Sequence, residues 1–274
     1  MGFYFANADI KEADILILGI GYDRTSSFIS GSRFAPNLIR EGAENIESYS
    51  PYQKKDLSEI KICDLGNFIF QNEKPEEFIK EVKGLIENYL KEKKKLVILG
   101  GEHTITYPIV MAFQEYYKNL AVIIFDGHSD LREDFMGEKV CHATVAKRIL
   151  EIVGKKNLYQ FGIRSLTKEC LEKNPNLFLF EIFKPLKRVI NLLKNKKIYL
   201  SLDLDVLDMA FLPAVQTPVA GGVNFLELVS SFKLLRNLEI VGVDIVEFSP
   251  FLNNPFTYAS LCAEIVREIL LIMK

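Results

Sequence analysis

Runs of apolar residues recur along the 274-residue chain, and stretches with helical spacing separate them. The strand candidates are DILILGI (14–20), KICDLG (61–66), KLVILGG (95–101), AVIIFDG (121–127) and LYQFGI (158–163). LFLFEI (177–182), KIYLSLDLD (197–205) and IVGVDIVEF (240–248) complete the set. These runs are apolar at consecutive positions, the pattern of strands covered on both faces. Between them, PEEFIKEVKGLIENYLKEKKK (75–95) and CHATVAKRILEIV (141–153) have helical spacing, as does FTYASLCAEIVREILLIM (256–273) near the end. Such alternation predicts an α/β protein: a mostly parallel sheet of about eight strands, helices on both faces, in one domain. A TIM barrel also needs eight strand–helix units, and strand count alone does not separate the two.

Composition adds limits. The formal net charge of -2 gives no electrostatic reason to expect nucleic acid. No apolar run approaches the roughly 20 residues that cross a bilayer. The opening MGFYFANADIKEAD has neither a basic start nor a small-residue cleavage site, so no signal peptide is expected, and Ala6 argues against myristoylation. Cys63, Cys141, Cys170 and Cys262 lie far apart without a CxxC pair, which predicts reduced thiols in the cytoplasm. The lysine-rich run at 91–95 reads as the solvated end of a helix. Histidine is scarce: His103, His128 and His142 are the three in the chain.

Ligands in open α/β sheets gather beyond the carboxyl ends of the strands. Three predicted strands run there into metal-ligating side chains: Glu102 and His103; Asp126, His128 and Asp130; and Asp203 and Asp205, with Asp208 slightly later. Residues i and i+2 of a strand share a face, which pairs Asp126 with His128 and Asp203 with Asp205. Asp126 and Asp130 would lie roughly 13 Å apart in a straight strand, so the chain must bend near Gly127–Ser129 for both to reach one ion. Each motif alone has a plain structural reading, as a polar turn, a helix cap or a tight glycine turn. Together, four aspartates and two histidines at three strand ends would be costly to desolvate without a cation. Carboxylates and imidazoles without thiolate favour a hard or borderline divalent ion, and six side chains exceed one tetrahedral site. A paired site of this kind lowers the pKa of bound water and suits hydrolysis of a cationic substrate.

GGEHT, FDGHSD and SLDLDVLD resemble, in order and spacing, the three metal-binding motifs of the ureohydrolase family, the arginases, agmatinases and their relatives. GYDRTSSFISGSRFAPNLIR (21–40) is similar to that family's N-terminal signature, and CHA (141–143), FGIRS (161–165), TPVAGG (217–222) and VDIVEFSP (243–250) extend the likeness. The resemblance implies a single three-layer α/β/α arginase-like domain over 1–274. It implies two Mn2+ per chain, with Ni2+ or Co2+ also tolerated. His103, Asp126, Asp130 and Asp203 would hold one ion, and Asp126, His128, Asp203 and Asp205 the other. A metal-bridging hydroxide would attack the guanidinium carbon, releasing urea and an amine. Catalytic roles fall to His142, Asp130 and Glu247: Glu247 would bind the guanidinium, and His142 would meet the substrate and carry protons towards the leaving amine. Family members are commonly trimers or hexamers, so a homo-oligomer is expected.

Ser165 and Thr167 stand where arginases carry aspartates, and LREDFMGEKV (131–140) lacks the Asn-rich arginase pattern. The DLRE stretch and CHA are similar to prokaryotic agmatinases. These features favour agmatine, giving putrescine; arginine, guanidinobutyrate and aminopropyl-agmatine are the alternatives. Met209, and Ala214, Val215 and Gln216 in place of a GTG-like turn, depart from the family pattern and bear on specificity if that turn reaches the pocket. Two further alternatives are a one-zinc deacetylase relative and a degenerate member that serves as a binding partner.

Overall fold

The computed structural model describes residues 2–70, 74–251 and 255–274. The chain runs β1 (Ile15–Ile20), α1 (Ala35–Gly42), β2 (Tyr49–Ser50), β3 (Lys55–Asp56), β4 (Ile62–Asn67) and α2 (Pro75–Lys91). It continues through β5 (Lys95–Gly100), α3 (Thr106–Tyr116), β6 (Leu120–Phe125), α4 (Val145–Val153), β7 (Leu158–Ile163) and α5 (Cys170–Lys173). Then follow β8 (Leu177–Leu179), α6 (Phe183–Leu193), β9 (Lys197–Asp203), α7 (Phe225–Leu235), β10 (Glu239–Val246) and α8 (Pro255–Met273). Eight strands form one sheet in the order β4-β1-β5-β10-β9-β6-β7-β8, and every pairing in it is parallel. The sheet is open, so the barrel reading falls. A small antiparallel β2–β3 ribbon, invisible in the hydrophobic pattern because each arm is two residues long, sits apart.

Alternation along each strand explains the continuous apolar runs. Ile15, Ile17, Val97, Leu99, Ile123, Phe125, Leu200 and Leu202 join one core layer; Leu16, Leu18, Leu96, Ile98, Val122 and Ile124 join the other. Residues from α1, α6, α7 and α8 complete the first layer, and residues from α2, α3 and α4 the second. In α8, every residue from Ile265 to Met273 is buried, including the charged Arg267 and Glu268, which pair with each other.

Four predicted strands end at least two residues early, and three of those ends matter. β6 stops at Phe125, β9 passes into a 3-10 turn at Leu204–Val206, and β10 stops at Val246 because Glu247 is left-handed (φ 73°). Asp126, Asp205 and Glu247 lie beyond these ends, which frees their side chains from strict alternation. β8 stops at Leu179 because Phe180 is left-handed (φ 66°). The lysine run also differs from expectation: α2 ends at Lys91, the chain turns at left-handed Lys93 (φ 56°), and Lys95 already belongs to β5.

One buried ion pair ties α1 to the sheet edge. The Arg40 guanidinium grips Asp64 of β4 with Nε–Oδ2 2.7 Å and Nη2–Oδ1 2.8 Å, and also donates to Asn67 and the Pro36 and Gly66 carbonyls. Burial pushes the Asp64 carboxyl up, but Arg40 and the backbone donors outweigh it and hold the group below its usual range. Its stabilising effect is therefore full above the unfolded carboxyl value and lost as pH falls through the lower folded one. Arg40→Met is expected to cost about 3–5 kcal/mol at neutral pH by stranding the carboxylate. Denaturant midpoints of wild type and variant should converge below a pH of about 4.

Candidate functional site

The four central strands β5, β10, β9 and β6 are neighbours, and their carboxyl ends carry the residues singled out by the sequence. After β5, a Cβ on Gly101 would stand 2.1 Å from the Tyr22 carbonyl oxygen, so only glycine lets the loop after β1 pack there. His103 follows, fully buried in a 3-10 turn, and its backbone N–H donates to Glu247 Oε1 at 2.5 Å. Its Nε2 lies 3.0 Å from Ser201 Oγ, and Ser201 Oγ donates its one proton to Asp244 Oδ1 at 2.6 Å. Tyr199 Oη donates to the other Asp244 oxygen at 2.6 Å. With that proton committed, Ser201 accepts from His103 Nε2–H, and the lone pair of Nδ1 is left pointing elsewhere.

It points at acid. Nδ1 lies 3.3 Å from Asp126 Oδ2, 3.2 Å from Asp130 Oδ2 and 3.2 Å from Asp203 Oδ2. A second group overlaps the first: His128 Nδ1 is 2.7 Å from Asp205 Oδ2 and 3.8 Å from Asp126 Oδ1. His103, Asp126 and Asp203 form one set of converging donors, and Asp126, His128 and Asp205 another. Asp130 joins the first set through its 3.2 Å approach to His103. All six predicted ligands therefore come together, and Asp126 is common to both sets. Asp208 stands apart; it accepts from the Ala210, Gly221 and Gly222 amides and shapes a turn. Glu102 also turns away, towards Thr25.

A cation fits this cluster. His103 Nδ1 and Asp126 Oδ2 are buried without a hydrogen-bond partner among the described residues, a costly arrangement unless an ion completes it. A lone-pair nitrogen ringed by carboxylates, with its other nitrogen bound outward to a hydroxyl, is the orientation a metal-ligating histidine needs. Electrostatics agree. Burial, with Asp130 and Asp205 nearby, pushes the Asp126 carboxyl up to about 7. Burial and the Asp205 and Asp126 charges raise Asp203 well above its ordinary value. Burial would lower both imidazoles, yet the facing carboxylates raise His103 well above its ordinary value and His128 to about 10, so that without an ion a proton takes the Nδ1 position a cation would fill.

The bend needed to bring Asp130 back is real, but its cause differs from the expected one. Asp130 itself is left-handed (φ 48°), whereas Gly127 is not among the residues with positive φ. Gly127 serves close approach: a Cβ there would meet Arg164 Nη1 at 2.8 Å and Asp205 Oδ1 at 2.9 Å. Its amide donates to that same Asp205 oxygen at 2.8 Å. Arg164 braces the segment, donating to the Asp205, Val219 and Ala220 carbonyls.

Above the cluster opens a cavity of roughly 260 Å³, with His128, Asp130, His142, Asp203 and Glu247 in its walls. Glu247 Oε2 is buried and has no partner among the described residues; burial, then Asp203 and Glu102, raises the carboxyl well above its usual range. Its left-handed backbone turns the side chain back over the site. His142 opens the 3-10 turn before α4, with Nε2 3.1 Å from Ser27 Oγ. Ser165, Leu166 and Thr167 line the outer part, with Arg132 set 5.3 Å from the Phe135 ring. The divergent 214–216 turn reaches the cavity only through its neighbour Thr217; Gln216 is buried and donates to Ser32. Thr25, Ser27, Arg164, Ser201 and Asp244 all stand in the motifs quoted above, but nothing in the sequence gave them roles.

A parallel α/β sheet with acid and imidazole converging at its carboxyl edge defines a candidate metalloenzyme. The Arginase family model matches residues 13–272, and the chain belongs to the arginase family. It is 34% identical to an agmatinase from Bacillus subtilis (strain 168) over 275 residues, 98% of this chain and 95% of that protein. It is 33% identical to an N(1)-aminopropylagmatine ureohydrolase from Thermococcus kodakarensis, over 89% of this chain and 85% of that one. The solved agmatine ureohydrolase of Thermoplasma volcanium superimposes with a TM-score of 0.87 at 32% identity, covering 99% and 94% of the two chains.

Gly127→Ala tests the close approach directly. The added methyl should displace Asp205 or Arg164 and cost about 1–3 kcal/mol. Chemical denaturation without added metal reads the packing loss, and calorimetric titration with Mn2+ should show weakened binding.

Proposed function

We propose that this chain is a two-metal guanidino-compound hydrolase, forming a single ureohydrolase domain, that cleaves agmatine to urea and putrescine. One observation carries the reading: the unpartnered Glu247 carboxylate oxygen and His142 share one cavity whose floor is the acid–imidazole cluster. His103, Asp126, Asp130 and Asp203 would hold one divalent ion, and Asp126, His128, Asp203 and Asp205 the second, with Mn2+ the first candidate and Ni2+ or Co2+ suited to the same donors. Such a pair supplies a water of lowered pKa and Lewis acidity. Glu247 Oε2 accepts N–H from the guanidinium and fixes its carbon over the floor. Held there by Glu247, the carbon would accept a water oxygen to form the new C–O bond, and the C–N bond to the alkyl chain would then break. Burial holds the His142 imidazole below its usual value, so the ring is neutral near pH 7 and able to take a proton. His142 then hands that water proton to the departing nitrogen, the second water proton follows as the urea C=O forms, and the amine leaves as an ammonium ion.

Ser165, Leu166 and Thr167 present no carboxylate to an α-amino group, which supports agmatine over arginine. The similarity to the aminopropylagmatine enzyme supports a longer amine as a further substrate. Arg132 at the cavity favours a second reading, a guanidino acid such as guanidinobutyrate, whose carboxylate it would meet. All four cysteines are buried free thiols, which supports the cytoplasm. Among the described residues no helix is long and apolar enough to cross a membrane. A homo-oligomer, trimer or hexamer, is part of the proposal.

Urea release with added Mn2+ across agmatine, arginine, guanidinobutyrate and aminopropyl-agmatine decides among these substrates. Agmatine should exceed arginine by at least about 100-fold in kcat/KM, a difference of about 2.7 kcal/mol; equal rates would refute the preference. Asp126→Asn should lose bound metal and turnover together, read by elemental analysis beside the urea assay. Retention of both ions with full activity would remove Asp126 from the proposed ligand set.

A further inference from the structure

Glu102 is fully buried beside the metal cluster yet turns its carboxylate away from it. Oε1 accepts from Thr25 Oγ1 at 2.7 Å; Oε2 accepts from the Thr25 amide at 2.9 Å and lies 3.4 Å from Ser26 Oγ. Every one of these donors belongs to the loop after β1. That loop also supplies both neighbours of the His142 ring: Thr25 Oγ1 lies 3.5 Å from Nδ1 and Ser27 Oγ lies 3.1 Å from Nε2. Phe135 meets the ring edge-on, with centroids 5.7 Å apart.

We propose that Glu102 and Thr25 are positioning residues that hold His142 as the Nδ1–H tautomer, with the Nε2 lone pair facing Ser27 and the cavity. The argument is a proton count. Thr25 Oγ1 gives its single proton to the Glu102 carboxylate at 2.7 Å, much nearer than Thr104 Oγ1 at 3.3 Å, which leaves it only acceptor capacity towards the ring. Nδ1 must then be the donor, and Nε2 the basic atom. Ser27, free to donate, accepts no such constraint and follows the ring. Glu102 thereby acts through Thr25 and does not touch substrate.

The proposal rests on the reading of His142 as the proton carrier, and the tests separate the two. With three histidines in the chain, ring 15N shifts report each tautomer, and the His142→Asn spectrum assigns the missing resonance. Wild type should show His142 protonated at Nδ1; protonation at Nε2 overturns the inference whatever the activity. In the urea assay, with the fastest guanidine of the panel, His142→Asn should lower kcat at least about 100-fold. A wild-type kcat in that variant refutes the carrier reading, and the inference with it. Thr25→Val and Glu102→Gln should each lower kcat about tenfold, the worth of one well-placed hydrogen bond. Their KM and bound metal should stay near wild type, and Thr25→Ser, which keeps the hydroxyl, should restore kcat. In the His142→Asn background, Thr25→Val should cost nothing further. An additive loss there, or a loss that tracks metal content, assigns Thr25 to scaffolding alone and overturns the inference while leaving the carrier reading intact.

Discussion

Like charges forced together out of water govern this molecule. Asp126, Asp130, Asp203 and Asp205 are all buried within a few ångströms of His103 and His128. Two carboxylates about 4 Å apart repel by about 4 kcal/mol even at an effective dielectric constant near 20. No amount of hydrogen bonding from Gly127, His128 and Asp205 amides cancels several such pairs. The cluster is tolerable only with compensating positive charge. The surrounding architecture is organised to keep the acids converging despite that cost, on four adjacent strands whose spacing is fixed by backbone ladders.

Convergence also strains the backbone. An aspartate and a glutamate, Asp130 and Glu247, occupy the left-handed region, which costs of order 1–3 kcal/mol at each non-glycine position. Both lie just past strand ends, where the ladder no longer dictates side-chain direction. Gly101 and Gly127 solve the complementary problem of crowding, since a Cβ at either would strike backbone or a ligand oxygen. Arg164 then links the Asp205 segment to the 219–220 turn, so the ligand loops brace one another.

The fold was legible because burial on both sheet faces leaves a plain mark: every predicted strand from 14–20 to 240–248 has its counterpart among β1 and β4 to β10. The gathering of the candidate ligands was legible too, because His103, Asp126, His128, Asp203 and Asp205 each follow an apolar run. What stayed hidden was where each strand releases its polar end. Hydropathy does not distinguish the left-handed turn at Glu247 from two more residues of strand, nor assign the bend to Asp130 rather than Gly127. Ser201, Asp244, Thr25 and Glu102 were in view as letters, but their roles depend on which proton goes to which acceptor, and only coordinates resolve that.

Those protons reveal a common device. His103 and His142 are each backed by a hydroxyl whose single proton is committed to a carboxylate: Ser201 with Asp244, Thr25 with Glu102. In both cases the hydroxyl can only accept, so the ring must donate to it and present its other nitrogen to the site. The device points in opposite ring directions. Ser201 engages Nε2 of His103, which turns Nδ1 into the acid cluster as a ligand would require. Thr25 engages Nδ1 of His142, which turns Nε2 towards Ser27 and the cavity, where a mobile proton is useful. The same imidazole is thus set up for one or the other of the two proposed roles, metal ligand or proton carrier, according to which nitrogen the buried hydroxyl occupies.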